Sequence, residues 1–334
     1  AEVQRRKEMQ RAEQEKASAA KSEGQGPGLM QAQAKMITRL LELVQEVDSL
    51  RGDEQREQRL AASRRVEEEL LQLEAEISQG DSDSALGKQQ AGLIALVRDA
   101  LKSDREGGSV DEEQWSDEVL RQKHGLVTYA TPAYWEDAYD SGRYGESFEW
   151  YGAWAEDDVS GKSLSSLVSP LLPKPAKTLV LGCGNSNMSS DIHSDGFGEI
   201  VSVDISEKVI QQMVEKYKEV PGLSWHQADA SKMSFGTASF DAVIEKGLFD
   251  SLYAGTGEKA RSVLEEVLRV LKPGGKLISI SFADDRIRRL FDAEEGGVKL
   301  PVSCSIISSL TYRKAEGEDE ASKAIHVYSC ERHT

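Results

Sequence analysis

From residue 126 to the end the sequence predicts an α/β fold built on a mostly parallel sheet, and the 125 residues before it predict an α-helical arm. Three observations carry this. Short β-branched runs alternate with amphipathic stretches in the second part, the pattern of strands and helices stacked in layers. Three successive runs end in a glycine or a carboxylate, at the edge where such sheets bind ligands. The first part is rich in Arg, Glu, Gln, Lys and Ala, a composition that favours helix.

In the arm, residues 1–23 have almost no apolar face, and Gly24-Gln-Gly-Pro-Gly28 interrupts them. An apolar stripe then steps by three and four through Ile37, Leu40, Val44 and Val47, and a second through Val66, Leu70, Leu73 and Ile77. Both match heptad spacing over about two heptads each, and Gly52-Asp53 between them allows a coiled-coil hairpin. A third helix is expected over 85–101, with Leu93, Val97 and Leu101 on one face, and 104–113 reads as a linker. Residues 1–125 are thus expected to be a partly flexible interaction arm for a protein partner, and 126–334 a separate domain.

In that domain strands are expected at 178–181, 200–203, 223–226, 240–244 and 276–282. Two more, 303–312 and 325–330, have no convincing helix between them, only the acidic turn Glu316-Gly-Glu-Asp-Glu320, so they read as a terminal antiparallel hairpin.

Charge excludes some functions. The net charge is −17, and residues 1–125 hold 19 Lys/Arg against 26 Asp/Glu, leaving −7 there and −10 for the rest. Both parts are acidic, so nucleic acid is not an expected partner, whereas a basic protein is. No apolar run approaches the ~18–20 residues of a spanning helix, so no membrane insertion is expected. Cys183, Cys304 and Cys330 form no CxxC pair, so neither a disulfide framework nor a metal site is expected, and a reducing compartment, the cytoplasm, fits. The chain begins at Ala1 and not Met, so removal of a targeting segment would point to an organelle instead.

The chemistry lies at the strand ends. The first strand runs into Leu181-Gly182-Cys183-Gly184-Asn185-Ser186, where glycines let the backbone turn sharply and approach a ligand closely. A dinucleotide site would require a third glycine, but Asn187-Met188 follow, which fits a smaller ligand end such as an amino-acid moiety. The second strand ends at Asp204, 22 residues after Gly182, where a carboxylate can accept bonds from two ribose hydroxyls. The third ends in Gln227-Ala228-Asp229-Ala230, where Asp229 can accept from an adenine amino group. The fourth ends in Glu245-Lys246-Gly247, and Leu271-Lys-Pro-Gly-Gly-Lys276 turns into the fifth. Ahead of them lie Tyr134-Trp135 and Tyr139, then Phe148-Glu149-Trp150-Tyr151, rings able to cover an adenine or a sulfonium.

These strings resemble the class I, Rossmann-like seven-stranded methyltransferases that use S-adenosylmethionine. Together they resemble the eukaryotic lysine methyltransferases acting on translation elongation factor 1-alpha and their methyltransferase-like relatives. Leu179-Val-Leu-Gly-Cys-Gly-Asn-Ser186, Val203-Asp-Ile-Ser206 and Glu245-Lys-Gly-Leu-Phe-Asp250 carry the likeness, which covers roughly residues 128–282. The resemblance implies S-adenosylmethionine as cofactor, with Trp135, Tyr139 and Trp150 lining the entrance and Gly182 at the methionine end. It places Asp204 and Ile205 at the ribose, Asp229 and Ala230 at the adenine, and Lys246 near the methyl donor. Three features depart from the family: Leu248-Phe249 replace its Thr-Leu, the stretch with Asp157-Asp158 is longer, and the arm has no counterpart.

The expected activity is methyl transfer to a lysine of a protein substrate. A lysine enters as a cation and must lose its proton, and the carboxylates nearest the donor side are Glu245 and Asp250. Either is equally well read as a strand-end cap or a helix N-terminal acid. The alternatives are a small-molecule methyltransferase and an assembly subunit that keeps the fold.

Overall fold

The computed structural model describes residues 56–79, 91–92, 94–95, 97–98, 102, 129–253, 259–282, 290–291, 302–311 and 324–333. They fall into two units, one holding the described residues of 135–252 and 259–333, the other those before 135 together with Tyr253. In the latter, helix α1 (Arg56–Gln79) carries the second apolar stripe and buries Val66 and Leu70 completely. The expected third helix is seen at its helical residues Ile94 and Val97, both buried, and Arg98 holds the Glu74 carboxylate through two nitrogens. The stripe from Ile37 to Val47, the Gly52-Asp53 hinge and the 104–113 linker lie outside the described residues.

The larger unit begins within α2 (Pro132–Asp140), whose first residue is a proline that needs no helical N–H partner. After the short α3 (Leu164–Val168), whose Ser163 and Ser166 form a reciprocal cap, the chain alternates strand and helix. The order is β1 (Thr178–Leu181), α4 (Met188–Ser194), β2 (Ile200–Asp204), α5 (Glu207–Lys216), β3 (Leu223–Gln227) and β4 (Phe240–Lys246). Then come α6 (Leu248–Tyr253), α7 (Ala260–Val270), β5 (Leu271–Phe282), β6 (Val302–Leu310) and β7 (Ile325–Arg332). The sheet order is β3-β2-β1-β4-β5-β7-β6. Strands β1 to β5 pair in parallel, while β7 runs antiparallel to both β5 and β6.

The central strands are buried and mostly apolar: every residue of β1 and β2 is buried, with Thr178, Ser202 and Asp204 as their polar members. Helix α5 turns Val209, Ile210 and Met213 inward, and α7 turns Val263, Leu264, Val267 and Leu268 inward, at the three-and-four spacing of an amphipathic helix. All seven expected strands are present. The Lys272-Pro-Gly-Gly275 turn is absorbed into β5 as an irregularity: Phe240 pairs with Leu271 but Ala242 with Lys276, so the intervening residues loop out.

One expectation is corrected. Cys304 and Cys330 are direct cross-strand partners in the β6–β7 ladder, with Cα atoms 4.0 Å apart, and are joined by a disulfide. Twenty-six residues apart in sequence, they become neighbours only through strand pairing, which a spacing rule does not register. The reducing compartment inferred from the absence of a disulfide loses that support. Among the described residues no helix is long and apolar enough to cross a membrane.

The long stretch before β1 is folded around Trp154, which is 1% exposed and donates its indole N–H to the Asp195 carboxylate at 2.7 Å. Ser165 donates to the same oxygen at 2.6 Å. Burial alone would raise the Asp195 carboxyl, but these two donors outweigh it and hold it below its ordinary value. Asp158 organises the rest. It accepts from the Ser160 hydroxyl, from the backbone N–H of Ser160 and Lys162, and from Thr311 just past β6 at 3.1 Å. The Ser160 hydroxyl, then the Lys162 amide, hold this carboxyl far below the carboxylate range. The insertion is therefore a structural staple. Trp154→Ala is expected to destabilise the fold by about 3–5 kcal/mol, and Trp154→Phe by about 1–3 kcal/mol, because a large buried ring and its donor are lost in the first and chiefly the donor in the second. Urea unfolding of the two variants checks the ranking.

Candidate active site

The C-terminal ends of the parallel strands lie along one edge of the sheet. Past β1 the backbone turns at Gly182 (φ +60°) and Gly184 (φ +52°), conformations that side-chain-bearing residues rarely adopt. Space forbids a side chain as well: a Cβ on Gly184 would lie 2.7 Å from the Tyr139 hydroxyl, and one on Gly182 would lie 3.3 Å from Leu248. The glycine loop is thus walled by α2 on one side and α6 on the other. Leu248, where the similar family carries a hydroxyl, presents an apolar surface to Gly182.

At the end of β2, the Asp204 carboxylate accepts the Gly184 N–H at 2.9 Å with one oxygen and the Ser206 N–H at 3.0 Å with the other. Burial pushes this carboxyl above its ordinary value against those bonds. The Asp204 carbonyl accepts the Ala228 N–H at 2.9 Å, and Gln227 reaches the Ile205 carbonyl at 3.3 Å, so the loop after β3 is tied to the loop after β2. In that third loop, Asp229 accepts from the backbone and hydroxyl of Ser231 at 2.9 and 2.6 Å and faces Lys259 at 3.4 Å. Partial burial opposes its ionisation, but the Ser231 bonds prevail and hold its carboxyl below the ordinary value. Gly182, Gly184, Asp204, Ile205, Asp229 and Ala230 are therefore brought to one edge.

The entrance residues also come together. Trp135 stacks on Tyr139 with centroids 6.0 Å apart and meets Trp150 edge-on at 6.2 Å, while Tyr144 lies within 6.0 Å of all three. Helix α2 docks this cluster on the loop after β2, because Glu136 accepts the Ser206 hydroxyl at 2.7 Å. Sequence reading passed over Glu136, and also Asn185, whose amide donates to the Tyr144 and Gly145 carbonyls at 3.3 and 3.0 Å. No spacing rule marks Asn185, which lies two residues before position 187, where the third glycine is missing.

Past β4 the three singled-out side chains are all enclosed. Glu245, fully buried, accepts the Ser279 hydroxyl with one oxygen and the Leu248 N–H at 2.9 Å with the other, capping α6. Burial pushes its carboxyl up to about 7. Asp250, 1% exposed, accepts the Ser281 hydroxyl at 2.5 Å, and burial, then the Glu245 charge, raises its carboxyl well above the ordinary value. The Lys246 ammonium is bonded to Glu149 at 2.6 Å and to the Gly152 carbonyl at 2.9 Å.

Residues 179–279 match the family model described as a methyltransferase domain. The chain is 35% identical over 170 residues to EEF1A lysine methyltransferase 4 of Mus musculus, covering 48% of this chain and 64% of that protein. It is 35% identical over 191 residues to the eEF1A lysine and N-terminal methyltransferase of Homo sapiens, covering 56% of this chain and 23% of that protein. The chain thus spans less than two thirds of the curated relatives it matches. Among solved structures, the YcgJ protein of Bacillus subtilis covers 50% of this chain and 96% of its own at a TM-score of 0.40 and 13% identity.

The resemblance drawn from the sequence implies S-adenosylmethionine as cofactor, and the residues present fit it. Two glycines at positive φ turn the backbone past β1, a conformation that side chains rarely adopt, and carboxylates stand at the end of β2 (Asp204) and just past β3 (Asp229). Residues 179–279 match a methyltransferase domain and run from β1 into β5 of the seven-stranded sheet, in a chain similar to the eEF1A lysine methyltransferases.

Proposed function

We propose that the chain transfers a methyl group from S-adenosylmethionine to a lysine side chain of a protein, elongation-factor-like by its relatives. The observation that carries this is the hydrogen-bonded chain Gly184–Asp204–Ala228, which ties the ends of β1, β2 and β3 into a single edge. On this reading Gly182 lies at the methionine end, Asp204 and Ile205 at the ribose, Asp229 and Ala230 at the adenine, and Trp135, Tyr139 and Trp150 around the entrance.

When bound, the cofactor supplies a methyl group on a positive sulfur, open to in-line displacement. The chain's own task is to bind and orient, since a lysine nitrogen must lie close to the methyl and opposite the leaving sulfur. The aromatic entrance offers faces that attract a cation, worth about 0.5–2 kcal/mol per ring, and a net charge of −17 favours approach of a lysine-bearing, basic surface. Glu245 and Asp250 are enclosed behind α6, so their burial supports a role in holding that helix, with the lysine proton leaving to solvent water.

Incubating the full chain with methyl-labelled cofactor and a cell lysate tests this. Label in a protein band, with methyl-lysine found by mass spectrometry, is expected. Label in low-mass material only, or no turnover with co-purification in a large assembly, contradicts it.

A further inference from the structure

Glu149 sits at a junction of the fold. Its carboxylate joins three parts of the chain: it accepts the Ser186 hydroxyl at 2.7 Å, the Asn187 N–H at 2.7 Å and the Lys246 ammonium at 2.6 Å. The first two belong to the glycine loop after β1, and Lys246 is the last residue of β4. Glu149 itself sits between Phe148 and Trp150 in the aromatic segment. Lys246 adds a second hold on that segment through the Gly152 carbonyl at 2.9 Å, and Asn185 a third through the carbonyls of Tyr144 and Gly145. At Gly247 (φ +81°) a Cβ would lie 3.2 Å from the Tyr151 ring, so the segment presses on the backbone past β4 with no room between.

Lys246 is buried and Glu149 partly so, their side chains 4% and 19% exposed. Removing an ammonium and a carboxylate from water costs about what their attraction returns, so such a pair adds little net stability over apolar residues of the same size. What it does provide is direction, because two charges and their hydrogen bonds are satisfied in one arrangement only. The geometry points to Glu149 and Lys246 as a latch: positioning residues that fix Trp150 and Tyr151 across the ends of β1 and β4 and so complete the wall of the cofactor site. This rests on the cofactor-site reading above. It gives Lys246 a different task from the direct donor contact that the family resemblance implies.

Three variants of the full chain separate positioning from stability. Glu149→Gln leaves the Lys246 charge buried without its counter-ion, and Lys246→Met leaves the carboxylate without its cation, so both are expected to lower the melting temperature. In Glu149→Gln/Lys246→Met no buried charge is unpaired, and melting is expected to return toward wild type. Affinity for S-adenosylhomocysteine, the probe, is not expected to return with it. The dissociation constant of the double variant should remain weaker by about tenfold or more, chiefly through faster dissociation. In the unliganded double variant the amides of 144–152 should exchange hydrogen faster than in wild type. Wild-type affinity and unchanged exchange in the double variant would overturn the latch, as would affinity that simply follows melting temperature across the series. A wild-type chain that does not bind the probe overturns the cofactor-site reading and the latch with it. A wild-type chain that binds, with a double variant that binds equally, overturns the latch alone.

Discussion

Replacing Asp204 by alanine is expected to weaken binding of S-adenosylhomocysteine by about 100-fold or more. A carboxylate accepting two ribose hydroxyls contributes about 1.5–3 kcal/mol per bond, and each 1.4 kcal/mol is a factor of ten. The loss has a second source in the fold itself. Asp204 accepts the N–H groups of Gly184 and Ser206, so its removal takes away one tie between the glycine loop and β2, leaving the Cys183 N–H to Val203 carbonyl bond, and unpairs an amide at the start of α5. Asp204→Asn keeps an acceptor for one of those amides and should lie between wild type and alanine. Asp229→Ala should lose much less, about tenfold, since one hydrogen bond at the adenine is at stake. Calorimetric titration of the three variants, with melting temperatures alongside, gives the order. An Asp204→Ala protein that binds like wild type would remove the ribose site from β2.

The second large effect is on stability and concerns Glu245. In the fold its carboxyl is pushed up to about 7, from 4.5 in the free side chain. Between those two values the unfolded chain releases this proton while the folded chain keeps it. The folded state then binds more protons, so stability falls as pH rises through that window and levels off above it. Over the whole window the loss amounts to about 3 kcal/mol. Glutamine retains an oxygen for the Leu248 N–H and offers an amide to Ser279, so Glu245→Gln should match wild type near pH 4.5 and exceed it at pH 8. The carboxyls held low in the fold, Asp158, Asp195, Asp229, Asp241 and Glu266, contribute stability that is lost only as pH falls below the ordinary carboxylate range. They leave the difference between the two proteins in this window untouched. Urea unfolding at both pH values measures it. An equal offset at the two would show that Glu245 carries its charge in the fold.

Much of this was legible in the sequence because the sheet imposes its period on the residues. Fully buried parallel strands read as mostly apolar, β-branched runs, so Thr178–Leu181 and Ile200–Asp204 stand out, and the residues ending them follow directly from the strands. What sequence could not reveal is what the polar side chains hold. Glu149 and Lys246 are 97 positions apart, and nothing local marks either as the other's partner. Asp158 looked like one more acid in a long loop, yet it reaches Thr311 across 153 residues. Cys304 and Cys330 likewise pair only because two strands align. The choice between cap and acid at Glu245 was open in the sequence; the Leu248 and Ser279 bonds favour the cap.

The claim beneath all of this is that the loops closing β1, β2 and β3 serve one adenosyl ligand. Its most direct test is titration of the isotope-labelled chain with S-adenosylhomocysteine, following backbone amide resonances. Expected are saturable shifts at Gly182, Gly184, Ile205 and Ala230 that all fit one dissociation constant. Shifts at these residues that saturate independently, or none there while other regions respond, would contradict it.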